Sequence, residues 1–176
     1  MLKEALLSRE KELGTHHPKV LASVHQLGSL FRKLKQYQEA EPLLQRTYEM
    51  SENSLGRNHP DTWASIDALA SLAKDMGNCS KAERLWRLVL ERKTNALGAN
   101  HSQTLASKTK IGMFLKEKGV DRWEESKILL QEAFEGCQEE FGELHPRTWK
   151  TNEQLALVQL KLGNYEQAEA LFRRMV

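Results

Sequence analysis

Apolar residues recur along this chain with the spacing of one helix face, in pairs of stretches separated by short breaks. Trp63, Ile66, Leu69, Ala70 and Ala73 follow i, i+3, i+6, i+7 and i+10, which is helical periodicity. Gly77-Asn78 interrupts the run, and Ala82, Leu85, Trp86, Val89 and Leu90 then form a second face. The same frame holds in Leu21, Val24, Leu27, Gly28 and Phe31, followed by Ala40, Leu43, Leu44 and Thr47. It returns in Trp149, Leu155 and Ala156, then Ala168, Leu171 and Phe172 beyond Gly163. Trp63 and Trp149 alternate with Leu21 and Leu105 at one position, and Trp86 with Leu44, Leu130 and Phe172 at another, so these are core positions. Trp123, in an irregular turn, aligns with Tyr37 and Tyr165 and is expected to pack as well. The pattern predicts an all-α chain of antiparallel helix pairs.

A junction signature punctuates the pairs. Leu13-Gly14-Thr15-His16-His17-Pro18 recurs 42 residues later as Leu55-Gly56-Arg57-Asn58-His59-Pro60, and 42 further on as Leu97-Gly98-Ala99-Asn100-His101-Ser102. The fourth copy, Phe141-Gly142-Glu143-Leu144-His145-Pro146, follows after 44. A glycine after the last apolar residue suits a left-handed helix end. A proline three or four residues on suits the first turn of the next helix, where an N–H has no intrahelical acceptor. Asp61-Thr62 and Gln103-Thr104 suit that helix N-terminus. A single array over 1–176 follows: the end of a preceding repeat at 1–12, full repeats at 13–54, 55–96 and 97–140, and a partial repeat at 141–176. The third repeat has Ser102 for proline and two extra residues around Val120-Asp121-Arg122-Trp123, predicting a longer turn. The first has Lys35 where the others place a turn glycine.

The small residue after leucine in each first helix (Gly28, Ala70, Gly112, Ala156) and the one opening each second helix (Ala40, Ala82, Ser126, Ala168) allow close backbone approach. They resemble the tetratricopeptide signature. The 42-residue period, the Leu-Gly…His-Pro junction and the Tyr-Gln-Glu-Ala-Glu box at Tyr37, with its counterpart at Tyr165, resemble the repeats of kinesin light chain and of related arrays in fungal NLR-type receptors. The resemblance covers essentially the whole chain. It implies a right-handed superhelical solenoid that binds proteins through a concave groove lined by the first helix of each pair.

Counting from the Leu/Trp position as one, positions two, five, nine and twelve are then expected to face the groove. The candidate residues are His25, Ser29 and Arg32 in repeat one, Asp67, Ser71 and Lys74 in repeat two, Thr109, Met113 and Lys116 in repeat three, and Glu153 in repeat four, where Leu157 and Leu160 follow. Alanine fills position two in three repeats (Ala22, Ala64, Ala106), with Lys150 in the fourth. The basic residues Arg32, Lys74 and Lys116 at position twelve suit an extended peptide carrying acidic side chains. The asparagine pair that kinesin light chain places before its leucine is replaced here by His25-Gln26, Asp67-Ala68, Thr109-Lys110 and Glu153-Gln154. The Lys/Asn/Arg carboxylate clamp of chaperone-binding members is absent too, so the same peptide specificity does not carry over.

Charge and chemistry narrow the rest. A net charge of +2 gives no electrostatic footprint for nucleic acid or an anionic membrane. No apolar run approaches the roughly 20 residues that span a bilayer. Cys79 and Cys137 form no CxxC pair, which leans toward a reducing, cytoplasmic setting. The regular His17, His59, His101 and His145 suggest a metal site. Stacked repeats, however, separate equivalent positions by roughly 8–10 Å, against zinc–nitrogen bonds of about 2 Å. These histidines are therefore read as helix-entry residues that pack or hydrogen-bond. With no phosphate loop, GxSxG or HExxH, no catalytic, cofactor or metal residue is expected. Neither end carries a polar capping element, which predicts an excerpt of a longer array. A spacer, or a segment that associates end to end with another copy, is the alternative to a protein-binding scaffold.

Overall fold

The computed structural model describes residues 2–14 and 17–174; Thr15 and His16 of the first junction, Met1 and Met175-Val176 lie outside them. Among the described residues the elements are helical throughout: α1 (Leu2–Leu13), α2 (Pro18–Lys33), α3 (Tyr37–Leu55), α4 (Pro60–Asp75), α5 (Cys79–Leu97), α6 (Ser102–Lys116), a 3-10 turn at Val120–Arg122, α7 (Trp123–Phe141), α8 (Pro146–Lys161) and α9 (Tyr165–Arg173). Two compact units divide inside α5, at Arg92 and Lys93. In the first, α2 packs on α1 and α3, α3 on α4, and α2 touches α4. In the second, α6 packs on α7, α7 on α8, α8 on α9, and α6 touches α8.

The junction is built from backbone requirements. Gly14, Gly56, Gly98 and Gly142 all have positive φ. At Gly56 and Gly142, however, φ of 87° and 83° accompanies ψ of 169° and 170°. The helix therefore does not end in the left-handed helical conformation expected from sequence. These glycines sit in the extended region of positive φ, which is essentially closed to other residues, and the chain reverses there. Three residues on, the histidine caps the next helix. Nδ1 of His17, His59, His101 and His145 accepts the N–H of Lys19, Asp61, Gln103 and Arg147 at 3.1–3.2 Å. Pro18, Pro60 and Pro146 occupy the first helical turn. The hydroxyls of Thr62 and Thr148 close the loop, each donating to the junction glycine's carbonyl at 2.8 Å.

Turns within the pairs use a second geometry. The N–H of Asn78 reaches back to the carbonyl of Ala73, and Asn164 to Gln159, around Gly77 and Gly163 at φ of 81° and 80°. That is the six-to-one closure of a helix C-terminus. The first repeat makes the same bond, Gln36 to Phe31, but with Lys35 held at φ 59°. In the third repeat Gly119 and the 3-10 turn take up the two extra residues, as the spacing predicted.

The small positions permit the contact they were assigned. A Cβ on Gly28 would lie 2.8 Å from Leu44 Cδ2, and one on Gly112 2.6 Å from Leu130 Cγ. The hydroxyl of Ser126 donates to the Gly112 carbonyl at 2.6 Å, fastening α7 to α6. Ala40, Ala70, Ala82, Ala156 and Ala168 are fully buried. Trp63 and Trp86 are core residues, but Trp149 is 41% exposed, against expectation. Leu105, its counterpart, is covered by α7 at the level of Gly136. Trp123 is half-buried, donating Nε1–H to the Lys116 carbonyl at 3.2 Å beneath the Lys161 ammonium.

Candidate interaction face

In the first unit the candidate residues come from α2 and α4. Ala22 and Ala64 are exposed, and His25, Ser29, Asp67 and Ser71 are half-buried. The Ser71 hydroxyl is used locally, on the Asp67 carbonyl at 2.8 Å. Arg32 does not project as an open cation: its Nη1 pairs with Asp75 Oδ2 of α4 at 3.1 Å. Lys74 is exposed.

In the second unit the residues come from α6 and α8. Thr109 is buried rather than presented; its hydroxyl donates to the Leu105 carbonyl at 3.0 Å and lies 3.4 Å from the Thr151 hydroxyl. The cause is the direct contact of α6 with α8, which places position five in the seam between them. Met113 is half-buried and Glu153 exposed. Lys116 donates to Gln154 Oε1 of α8 at 2.6 Å. Burial lowers the Lys116 pKa most; Glu117 and Glu153 pull it up, and Lys161 pushes it down.

A cavity of about 440 Å³ opens in the first unit where α2, the C-terminal turn of α3 and the start of α4 meet. Leu21, Ala22, Leu55 and Ala64 give it apolar walls, and His25, Gln26 and Asp61 supply polar groups. Nε2 of His25 is buried with no hydrogen-bond partner. Burial lowers the His25 pKa from its ordinary 6.5, with the Asp61 carboxylate working the other way. Sequence reasoning singled out His25 but read Asp61 only as a helix-start residue. The cavity is a meeting of three helices, which no single repeat position signals. At the corresponding junction of the second unit, Phe141 stands for Leu55 and stacks on His145 at 4.6 Å between ring centroids, with the Arg147 guanidinium 5.4 Å above it.

The cap histidines spend Nδ1 on the backbone, and no group of three or more His, Cys, Asp or Glu side chains among the described residues is placed to hold a metal ion. No described helix is long and apolar enough to cross a membrane. Neither cysteine is in a disulfide, and burial raises the Cys137 pKa.

Comparison with known proteins accounts for this architecture. The tetratricopeptide repeat family model matches residues 1–53, 20–94 and 110–175. Among solved structures, the chain is similar to nearly identical TPR-like repeats from Podosopora anserina, described as kinesin light chain repeats, at TM-score 0.81 and 24% identity, over 98% of this chain and 81% of that one. A single-substitution variant of those repeats gives the same values. BtubC (BKLC) from P. vanneervenii is similar at TM-score 0.79 and 20% identity, over 98% of this chain and 71% of that one. No curated protein matches. The tetratricopeptide fold generally mediates protein–protein interaction, and proteins built from it are typically non-enzymatic scaffolds. With helix pairs, junctions and small-residue contacts all in that register, the chain belongs to the tetratricopeptide repeat family.

Proposed function

We propose that this chain is a non-catalytic, cytoplasmic scaffold that binds a peptide or partner domain on the first-helix faces of its units, α2 with α4 and α6 with α8. The observation that carries the reading is the α2–α4 face. The small, exposed residues Ala22 and Ala64 line a cavity of about 440 Å³ there, large enough for side chains of an extended segment, and half-buried Ser29 and Ser71 continue the same helix faces. Arg32 and Lys74 at one end of that face, and Lys116 on α6, favour acidic side chains, although Arg32 first has to share its charge with Asp75. Selection from a displayed peptide library tests this. Enriched sequences should carry Asp or Glu and should weaken when Arg32→Glu and Lys74→Glu are combined, and separately for Lys116→Glu. A library that enriches nothing over an unrelated helical protein sinks the groove reading; binding indifferent to the reversals sinks its acidic preference.

A further inference from the structure

We infer that the cavity between α2, α3 and α4 is a binding site for an arginine side chain of the bound segment. The inference deepens the groove reading and rests on it. Among the residues lining the cavity, Asp61 alone carries a formal charge at neutral pH, and no lysine or arginine is present. Its carboxylate is exposed at the rim, 68% accessible, 3.7 Å from Nδ1 of His59. The walls of Leu21, Ala22, Leu55 and Ala64 are apolar. An apolar sleeve with a carboxylate at its mouth suits a long aliphatic stem that ends in a cation.

One further feature selects guanidinium over a point charge: the two carboxylate oxygens of Asp61 can accept from a planar N–H fork, which an ammonium lacks. The helix ends do not add to the preference. Ser54 and Leu55 bring the carbonyl end of α3 to the cavity, which favours a cation, whereas Pro18 and Asp61 mark the positive ends of α2 and α4, the second offset by the Asp61 carboxylate. The site therefore differs in sign from the Arg32 and Lys74 end of the same face, and a segment lying across it would be basic at one end and acidic at the other.

The test uses the full chain, ¹⁵N-labelled, titrated with acetyl-Gly-Ser-Arg-Ser-Gly-amide and with the same peptide carrying citrulline, a neutral isostere of arginine. The arginine peptide should shift the amides of Ala22, His25 and Ala64, and the citrulline peptide should bind about fivefold more weakly or less. Asp61→Asn should impose a similar loss on the arginine peptide. Ala64→Phe, which fills the cavity from an exposed position, should abolish its shifts, with helix content unchanged by circular dichroism in both variants. Equal affinity for the two peptides, or no effect of either variant, overturns the assignment. Shifts confined to Ser29 and Ser71 also overturn it while leaving a groove. No shift at millimolar peptide removes the arginine site, and the library selection then decides the groove independently.

Discussion

Gly112→Ala tests whether close backbone approach holds the second unit together. The added methyl would sit 2.6 Å from Leu130 Cγ, 3.0 Å from Leu130 Cδ2 and 3.3 Å from the Ser126 carbonyl oxygen. Ordinary carbon contacts lie near 3.5–4.0 Å, so Leu130 has to move by about an ångström. It is fully buried and packs with Phe134, Leu155 and Val158, leaving little room to retreat. Moving the whole of α7 instead stretches the 2.6 Å bond from Ser126 to the Gly112 carbonyl. Overpacking of this kind costs about 1–3 kcal/mol, and alanine returns roughly 0.5–1 kcal/mol of helix propensity. The net expectation is a loss of about 1 kcal/mol or more, a fall in midpoint of roughly 4–8 °C per kcal/mol for a unit of this size. Urea and thermal unfolding by circular dichroism would measure it. The repeats themselves suggest the control: where alanine replaces this glycine (Ala70, Ala156), the position facing it in register is aromatic, Trp86 or Phe172, in place of leucine. Leu130→Phe should therefore recover part of the loss in a double-mutant cycle. Gly112→Ala as stable as the parent chain, or a cycle with no coupling, would refute the close-approach argument.

Other positions give sharper local tests. His59→Ala should cost about 1 kcal/mol, and His59→Asn less, because asparagine restores an N-cap acceptor; unfolding midpoints of the pair decide it, and equal losses would deny the cap. Lys35→Gly should stabilise by about 0.5–1 kcal/mol, since a positive φ strains any residue with a Cβ; a lower midpoint would mean the lysine side chain contributes more than its backbone costs. Because burial depresses the His25 pKa, the unfolded chain takes up the proton first as pH falls below the ordinary 6.5. Stability is therefore full above that pH and declines below it until the folded ring also protonates. His25→Gln should flatten that decline in midpoints measured from pH 7.5 to 5, and an unchanged profile would count against it.

What could be read from the residues was set by the backbone. Positive φ at the junction glycines, a proline in the first turn and a small residue at each helix crossing each exclude most alternatives, so their recurrence marks helix ends without knowledge of neighbours. The ψ of Gly56 and Gly142 was not legible, because both conformations of positive φ accept the same residue. Trp149 misled for a different reason: its type matches the core, but its burial depends on a covering turn supplied by another helix at another level. Thr109 shows the converse, since a position counted as groove-facing lies in the seam where α6 meets α8. His25 came from its place on the first helix alone. The cavity it faces needs Leu55 and Asp61 from two other elements, and no periodicity links them.

The same hardware carries different chemistry at its rim, and that difference locates function. His59 and His145 make one identical bond to the backbone, and Thr62 and Thr148 another. The histidine cap recurs at all four junctions, so a residue that departed from that role would weaken the helix entry. The side chains beside them make no such backbone bond. Leu55, Asp61 and Ala64 leave space and a negative charge in the first unit, whereas Phe141 and Arg147 fill the corresponding space with a stacked ring and a cation in the second. Both sets satisfy the fold equally, so packing does not explain the choice between them. A charge reversal at Asp61 removes a helix-end interaction worth about 0.3–1 kcal/mol, so it should lower the first unit's midpoint only modestly while changing which peptides bind. If Asp61→Lys instead unfolds the first unit, the rim belongs to the hardware, and the distinction between the two kinds of position fails.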